Sequence, residues 1–146
     1  MTEPLRFAFA EPVDDAALAT WRSIHNTVIP PIPLTLDEVR ERAGRNRLEL
    51  AYAGEVVVGN STVRPVDPDG TSVVIARVLP EHRRQGFGVL IHERALAAAR
   101  ALDPAAIETV VLAANVDGLR FASRHGYEET ERYAVDDALY VTLRLR

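Results

Sequence analysis

The chain has 146 residues, a formal net charge of −4 and no cysteine. Its length and its 47% hydrophobic and 26% charged residues predict one folded domain over residues 1–146, with room for a proper core. The composition excludes disulfides, thiolate metal sites and acyl-cysteine intermediates, and because all 17 basic residues are arginine it also excludes a Schiff-base lysine.

The amino-terminal third predicts one strand and two helices. The start of the chain lacks the basic and apolar segments of a signal peptide, and no apolar run could span a membrane, so a cytoplasmic location is expected. Alternating apolar residues predict a strand over residues 5–10, and helical periodicity predicts a helix over 14–26. Three prolines within residues 29–33 predict an extended loop, and a capping box then starts a second helix over 35–44.

The middle of the chain predicts three antiparallel strands and the longest helix. Alternation over residues 48–52 and the apolar run 56–58 predict a hairpin, with a bulge at Gly59 and Asn60. A fourth strand is expected over 71–79, followed by a helix over 87–102.

The carboxyl-terminal third predicts a strand over 109–114, a helix over 116–125 ended by Gly126, and a hairpin of strands 127–133 and 139–145. The order of elements indicates an α+β fold, in which helices flank a central mixed and mostly antiparallel sheet.

The connection from the fourth strand into the long helix carries the clearest chemical signal. Gly86 and Gly88 allow close approach of a ligand to the helix amino terminus, where unpaired N–H groups favour an anion. Arg83 and Arg84 add positive charge beside them. A pyrophosphate site is therefore expected, although a glycine pair is also an ordinary way to make a tight strand-to-helix turn.

Two motifs carry a family resemblance. The pattern R-x-x-G-x-G at Arg83, Gly86 and Gly88, preceded by Val-x-Pro at Val78, resembles the acetyl-CoA signature of the GNAT superfamily. Asn115, followed by a helix and Gly-Tyr, is similar to the second signature of that superfamily. The order of elements matches it over essentially the whole chain, so the resemblance implies the GNAT fold and an N-acetyltransferase.

The resemblance also implies where acetyl-CoA binds. The backbone of Val78 would pair with the pantetheine arm and polarise the thioester carbonyl, and Asn115 would bind the far side of the arm. The pyrophosphate would be held by backbone N–H groups of Arg83, Arg84, Gln85, Gly86, Phe87, Gly88 and Val89. The amine of a small-molecule acceptor would then attack the thioester directly in a ternary complex, without an acyl-enzyme intermediate.

Two positions depart from the family pattern. The glutamate that serves as general base in several members falls at Ser72, and the usual tyrosine general acid falls at Ala122, beside Ser123. Ser72 and Ser123 are therefore the candidate catalytic residues: Ser72 could hold a water that removes the amine proton, and Ser123 could protonate the thiolate. An ordinary structural serine is the alternative at Ser72.

Several partners and functions stay open at this point. The charge disfavours nucleic acid and membranes and favours a cationic acceptor, with Asp136 and Asp137 as one place that could draw it. The four histidines show no metal spacing, so no metal is expected. The alternatives are a non-catalytic acyl-CoA-binding module, one half of a tandem acetyltransferase, and a nucleotide-binding protein; a homodimer or a tandem partner domain would be the protein partner.

Overall fold

The computed structural model describes residues 6–146, which form four helices and seven strands in this part of the chain. In chain order these are β1 Phe7–Ala10, α1 Asp15–Val28, α2 Leu36–Arg45, β2 Arg47–Ala53, β3 Val56–Val63, β4 Thr71–Val78, α3 Phe87–Arg100, β5 Ala106–Leu112, α4 Val116–Arg124, β6 Tyr127–Val135 and β7 Ala138–Leu145, with a single 3-10 turn at Pro80–His82 before α3. Within residues 6–146, no helix has the length and apolar character needed to cross a membrane.

The seven strands form one sheet in the order β1-β2-β3-β4-β5-β7-β6. Every neighbouring pair is antiparallel except β4 and β5, which are parallel and joined through α3. This arrangement confirms the predicted α+β fold, a mixed and mostly antiparallel sheet with flanking helices. Leu5, included in the first predicted strand, lies outside the described residues.

The two faces of the sheet are covered by different helices. The helices α1 and α2 bury Trp21, Ile24 and Val39 against β2. On the other face, α3 packs Ile91, Ala95 and Ala99 against β3 and β4, and α4 packs beside it. Capping interactions fix the starts of α1 and α2. Asp14 accepts a hydrogen bond from the Ala17 N–H at the start of α1, and Thr35 and Glu38 form the predicted capping box at the start of α2.

The hairpin of β2 and β3 differs in detail from the prediction. The extra residue is Val58, because Ala51 pairs with Gly59 whereas Tyr52 pairs with Val57. Gly59 and Asn60 continue the strand as far as Val63. Gly59 is required for packing instead, since a Cβ there would lie 2.1 Å from the carbonyl oxygen of Arg77 on β4.

Candidate active site

A cleft opens where β4 and β5 separate. The two strands pair only over Thr71–Val73 and Ala106–Glu108, and beyond these residues they diverge. The resulting cleft has a volume of about 420 Å³ and is lined by the second halves of both strands, the first turns of α3 and one side of α4. It lies at the carboxyl ends of parallel strands, the usual place for a ligand in such a unit.

The backbone of Val78 presents a free donor to this cleft. The N–H of Leu79 donates to the carbonyl oxygen of Val58 on β3 at 2.9 Å. Because successive N–H groups of a strand point to opposite edges, the Val78 N–H points away from β3, into the gap beside β5. The strand therefore offers a main-chain hydrogen bond to an extended ligand in the cleft.

The loop before α3 forms an anion cradle at the mouth of the cleft. Arg84 and Gly86 both have left-handed backbone conformations, with φ of 64° and 83°. Gly86 is the N-cap of α3 and supplies no capping side chain, so the first N–H groups of the helix lack an internal acceptor. These donors and the helix dipole create a site for phosphate.

Arginines from two elements line the rim of this cradle. The Arg83 Nε donates to the carbonyl oxygen of Val78 at 3.2 Å, and its guanidinium lies 3.9 Å from the Asp117 carboxylate. Arg84 is exposed at the same rim. Arg120 and Arg124, which sequence reasoning missed, line the cleft from α4. Helical spacing by itself would have placed these two on one face of α4, but not at the cleft.

Two glycines allow close packing at the cleft: Gly88 where α3 meets α4, and Gly118 at the start of α4. A Cβ at Gly88 would lie 3.2 Å from the Phe121 ring, and one at Gly118 would lie 2.7 Å from the Asn115 amide nitrogen. The Asn115 Oδ1 caps α4 by accepting from the Gly118 N–H at 3.0 Å. The Asn115 side chain is thereby fixed at the cleft wall opposite Val78.

Of the predicted cofactor-binding residues, all but one line the cleft. Those that do are Val78, Arg83, Arg84, Gly86, Phe87, Gly88, Val89 and Asn115. Gln85 is exposed in the same loop but is not among the lining residues.

The two predicted catalytic serines are not among the residues that line the cleft. Ser72 is fully buried where β4 still pairs with β5, and its hydroxyl donates to the carbonyl oxygen of Arg64 at 2.8 Å. Ser123 is exposed on α4, whereas its neighbours Ala122 and Arg124 line the cleft. Their catalytic roles stay predictions, and the structure does not bring the two side chains together.

A neutral polar pair forms part of the cleft wall between α3 and β6. The His92 Nε2 and the Tyr127 hydroxyl are 2.8 Å apart, and both residues are buried. Burial lowers the pKa of His92 to about 4 and raises the pKa of Tyr127 to about 12. Both groups are therefore uncharged near neutral pH.

The opposite end of the cleft is bounded by α1 and the proline loop. Val28 and Ile29 line the cleft there, and Asn26 fixes the loop by exchanging two hydrogen bonds with the backbone of Leu34, at 2.8 and 3.1 Å. His25 is buried on α1 and stacks on Trp21, as a core-edge histidine.

Arg77, on β4, is a further lining residue that sequence reasoning missed. It is 5% exposed, and its guanidinium lies 5.4 Å from the centre of the Trp21 ring. Burial, followed by the charges of Arg42 and Arg64, lowers the pKa of Arg77 to about 9. It therefore remains a buried cation at neutral pH, and nothing in its local sequence signals this.

Within residues 6–146, no group of three or more histidine or acidic side chains is arranged to hold a metal ion.

Comparison with known proteins identifies relatives of this arrangement. The sequence matches the Acetyltransferase (GNAT) family over residues 11–127. No curated protein sequence gives a significant match.

Solved structures share the fold at low identity. YncA of Salmonella typhimurium, crystallised with its cofactor acetyl-CoA, is 15% identical with a TM-score of 0.77, over 96% of this chain and 93% of its own. Arabidopsis thaliana Naa50, in complex with a bisubstrate analogue of CoA and a peptide, is 21% identical with a TM-score of 0.75, over 96% and 98% of the two chains. The ribosomal-protein-S18-alanine N-acetyltransferase of Escherichia coli is 16% identical with a TM-score of 0.75, over 96% and 93%.

Proposed function

Because the chain belongs to the GNAT acetyltransferase family, we propose that it is an enzyme that transfers the acetyl group of acetyl-CoA to the amine of a small molecule. Acetyl-CoA is the co-substrate of this family and supplies the activated acetyl group. The observation that carries the proposal is the β4–β5 cleft, which combines a free main-chain donor at Val78 with an anion cradle at the start of α3.

The cleft matches the chemistry of an acyl-CoA along its length. The cradle and the arginines on its rim suit the negatively charged phosphates. The Val78 N–H and the Asn115 amide face an extended polar arm from two sides. The Val78 N–H can also donate to the acetyl carbonyl oxygen, on which negative charge develops when the amine attacks.

Positioning and the Val78 contact are proposed as the main sources of rate. Holding two reactants together can lower a barrier by about 7–11 kcal/mol, whereas a positioned acid or base typically contributes ~10²–10⁴-fold, or roughly 3–5 kcal/mol. A site without a dedicated acid or base can therefore still catalyse. This fits the absence of Ser72 and Ser123 from the residues that line the cleft.

The same absence motivates a second candidate, a non-catalytic acyl-CoA-binding module. Such a module would bind acetyl-CoA in the same cleft but leave the thioester intact, alone or with a partner domain. Binding alone therefore does not distinguish the two functions, and turnover must be measured.

The test measures free thiol released from acetyl-CoA over a panel of primary amines, beside calorimetric titration of acetyl-CoA. An acetyltransferase binds acetyl-CoA and releases thiol with at least one amine above the rate without amine. Binding with no amine-dependent release on a broad panel, including peptides with free amino termini, would favour the module.

A further inference from the structure

Arg77 is a buried cation without a matching anion. Its Nη1 donates to Asn60 Oδ1 at 3.2 Å and to Thr62 Oγ1 at 3.3 Å, whereas its Nε is buried and has no hydrogen-bond partner within the described part of the chain. No carboxylate of residues 6–146 lies within ion-pair distance of its guanidinium. A buried charge without an anionic partner costs stability, and its presence therefore points to a functional role.

The neighbours of Arg77 hold its guanidinium in place without neutralising it. Asn60 is itself fixed, because its amide donates to the carbonyl oxygen of Trp21, and the Trp21 ring lies against the guanidinium. The charged groups that influence Arg77 are Arg42 and Arg64, which add to the positive potential around it. A chain whose net charge is −4 thus carries a local cationic site.

Arg77 also lies at the end of the cleft where the acceptor would bind beside the acetyl group. It lies next to Val78 on β4, and its side chain points to the sheet face covered by α1, on which Val28 and Ile29 bound the cleft. Since an anion at Arg77 would sit one residue from the Val78 N–H, an amine close to that anion could reach the acetyl carbonyl. The free edge of a guanidinium suits the planar fork of a carboxylate.

We propose that the acceptor carries a carboxylate close to its reactive amine, as a free amino acid does, and that Arg77 binds this carboxylate. The inference rests on the proposed acetyltransferase function and adds the class of acceptor. It reverses the expectation of a cationic acceptor that overall charge suggests, because the local charge at the acceptor end of the cleft has the opposite sign. Binding at Arg77 would orient the amine, which is a specificity role.

The test uses matched acceptors on the wild-type protein. Each set contains an amino acid, its primary amide and the amine that lacks the carboxyl group, for example phenylalanine, phenylalaninamide and phenethylamine. We expect kcat/KM for the best amino acid to exceed that for its two analogues by roughly 10- to 100-fold, since only the acid satisfies the arginine. Equal values within every set would overturn the inference and leave the acetyltransferase function standing.

Variants assign the discrimination to Arg77. Arg77→Gln should reduce the preference for the acid to about 1- to 3-fold, chiefly through a higher acceptor KM, with unchanged affinity for acetyl-CoA. Arg77→Lys, which keeps the charge, should retain part of the preference. Arg40→Gln removes an exposed arginine of α2 that pairs with Asp15 and Asp37 and should change nothing. A preference that survives in Arg77→Gln would contradict the role of Arg77.

A binding measurement separates failure of this inference from failure of the proposed function. The protein saturated with CoA is titrated with the same acids and amides. Carboxylate-selective binding that is lost in Arg77→Gln, without thiol release on any amine, would support the anion site and overturn the acetyltransferase. If neither binding nor thiol release is observed, both proposals are wrong.

Discussion

Asn115 combines a structural role with a predicted role in binding, and two substitutions separate them. Asn115→Asp keeps the oxygen that caps α4 but removes the amide donor, so stability should be retained while affinity for acetyl-CoA falls by roughly 3- to 10-fold. Asn115→Ala should lose the affinity and also ~0.5–2 kcal/mol of unfolding free energy. Calorimetric titration and denaturant unfolding measure the two quantities. Unchanged affinity in both variants would show that the Asn115 amide does not contact the cofactor.

At the scale of residues, the sequence identified the cleft residues whose position follows from local chain geometry. Gly86 and Asn115 sit at helix starts, and a helix start can be recognised from a few neighbouring residues. Arg77 could not be found in this way, because its partners Trp21 and Asn60 are distant in sequence. The burial of Ser72 could not be found in this way either, because it is set by the pairing of β4, which a single position does not reveal.

At the scale of elements, a side chain at the start of α3 should leave folding intact but weaken the binding of acetyl-CoA. A Cβ at Gly86 would meet no atom within 4 Å, although its φ of 83° adds strain of roughly 1–2 kcal/mol. Gly86→Glu should therefore still fold cooperatively, yet lose acetyl-CoA affinity by about 100-fold or more, because the carboxylate would stand in the anion cradle and repel phosphate.

The matched control for this variant is Gly44→Glu, the same substitution at a glycine of α2 whose Cβ would also meet no atom within 4 Å. Its acetyl-CoA affinity should equal that of the wild type in calorimetric titration. If Gly86→Glu also bound acetyl-CoA normally, the loop before α3 would not be the phosphate site.

Element boundaries were predictable where capping sets them and less so where pairing does. The helix α2 begins within a residue of its predicted start because Thr35 and Glu38 cap it. The strand β5 begins at Ala106, three residues before the predicted start, because Ala106 pairs with Thr71 on β4. That contact spans 35 positions in the chain and leaves no local pattern.

At the scale of the whole molecule, two buried histidines should make stability depend on pH. Burial lowers the pKa of both His25 and His92 from 6.5 to about 4. Between these values the unfolded chain binds protons that the folded chain does not, so the free energy of unfolding falls as pH falls. The slope should reach up to ~2 kcal/mol per pH unit for the two residues together.

Denaturant unfolding between pH 7 and 5 measures this slope, above the range in which most carboxylates titrate. Replacing either histidine by glutamine should reduce the slope by about half, and the double variant should nearly abolish it. A double variant with the wild-type slope would assign the pH dependence to other groups.

The order of elements was enough to predict the architecture, since strand, two helices, three strands, helix, strand, helix and two strands leave few ways to build one sheet. It did not predict that the pairing of β4 and β5 would end at Val73 and Glu108, since these two residues are 35 positions apart in the chain. The cleft is therefore a property of the packed molecule, whereas its main motif is a property of the sequence.

Direct transfer from acetyl-CoA to an amine is the central claim, and a labelled acetyl group tests it most directly. The protein is incubated with acetyl-CoA carrying a heavy-isotope acetyl group and an amine that supports thiol release, and mass spectrometry follows the amine, CoA and the protein. The account predicts labelled amide and free CoA in equal amounts, no label on the wild-type protein, and no amide with Gly86→Glu. Release of CoA without labelled amide, or a labelled protein intermediate that precedes the amide, would contradict it.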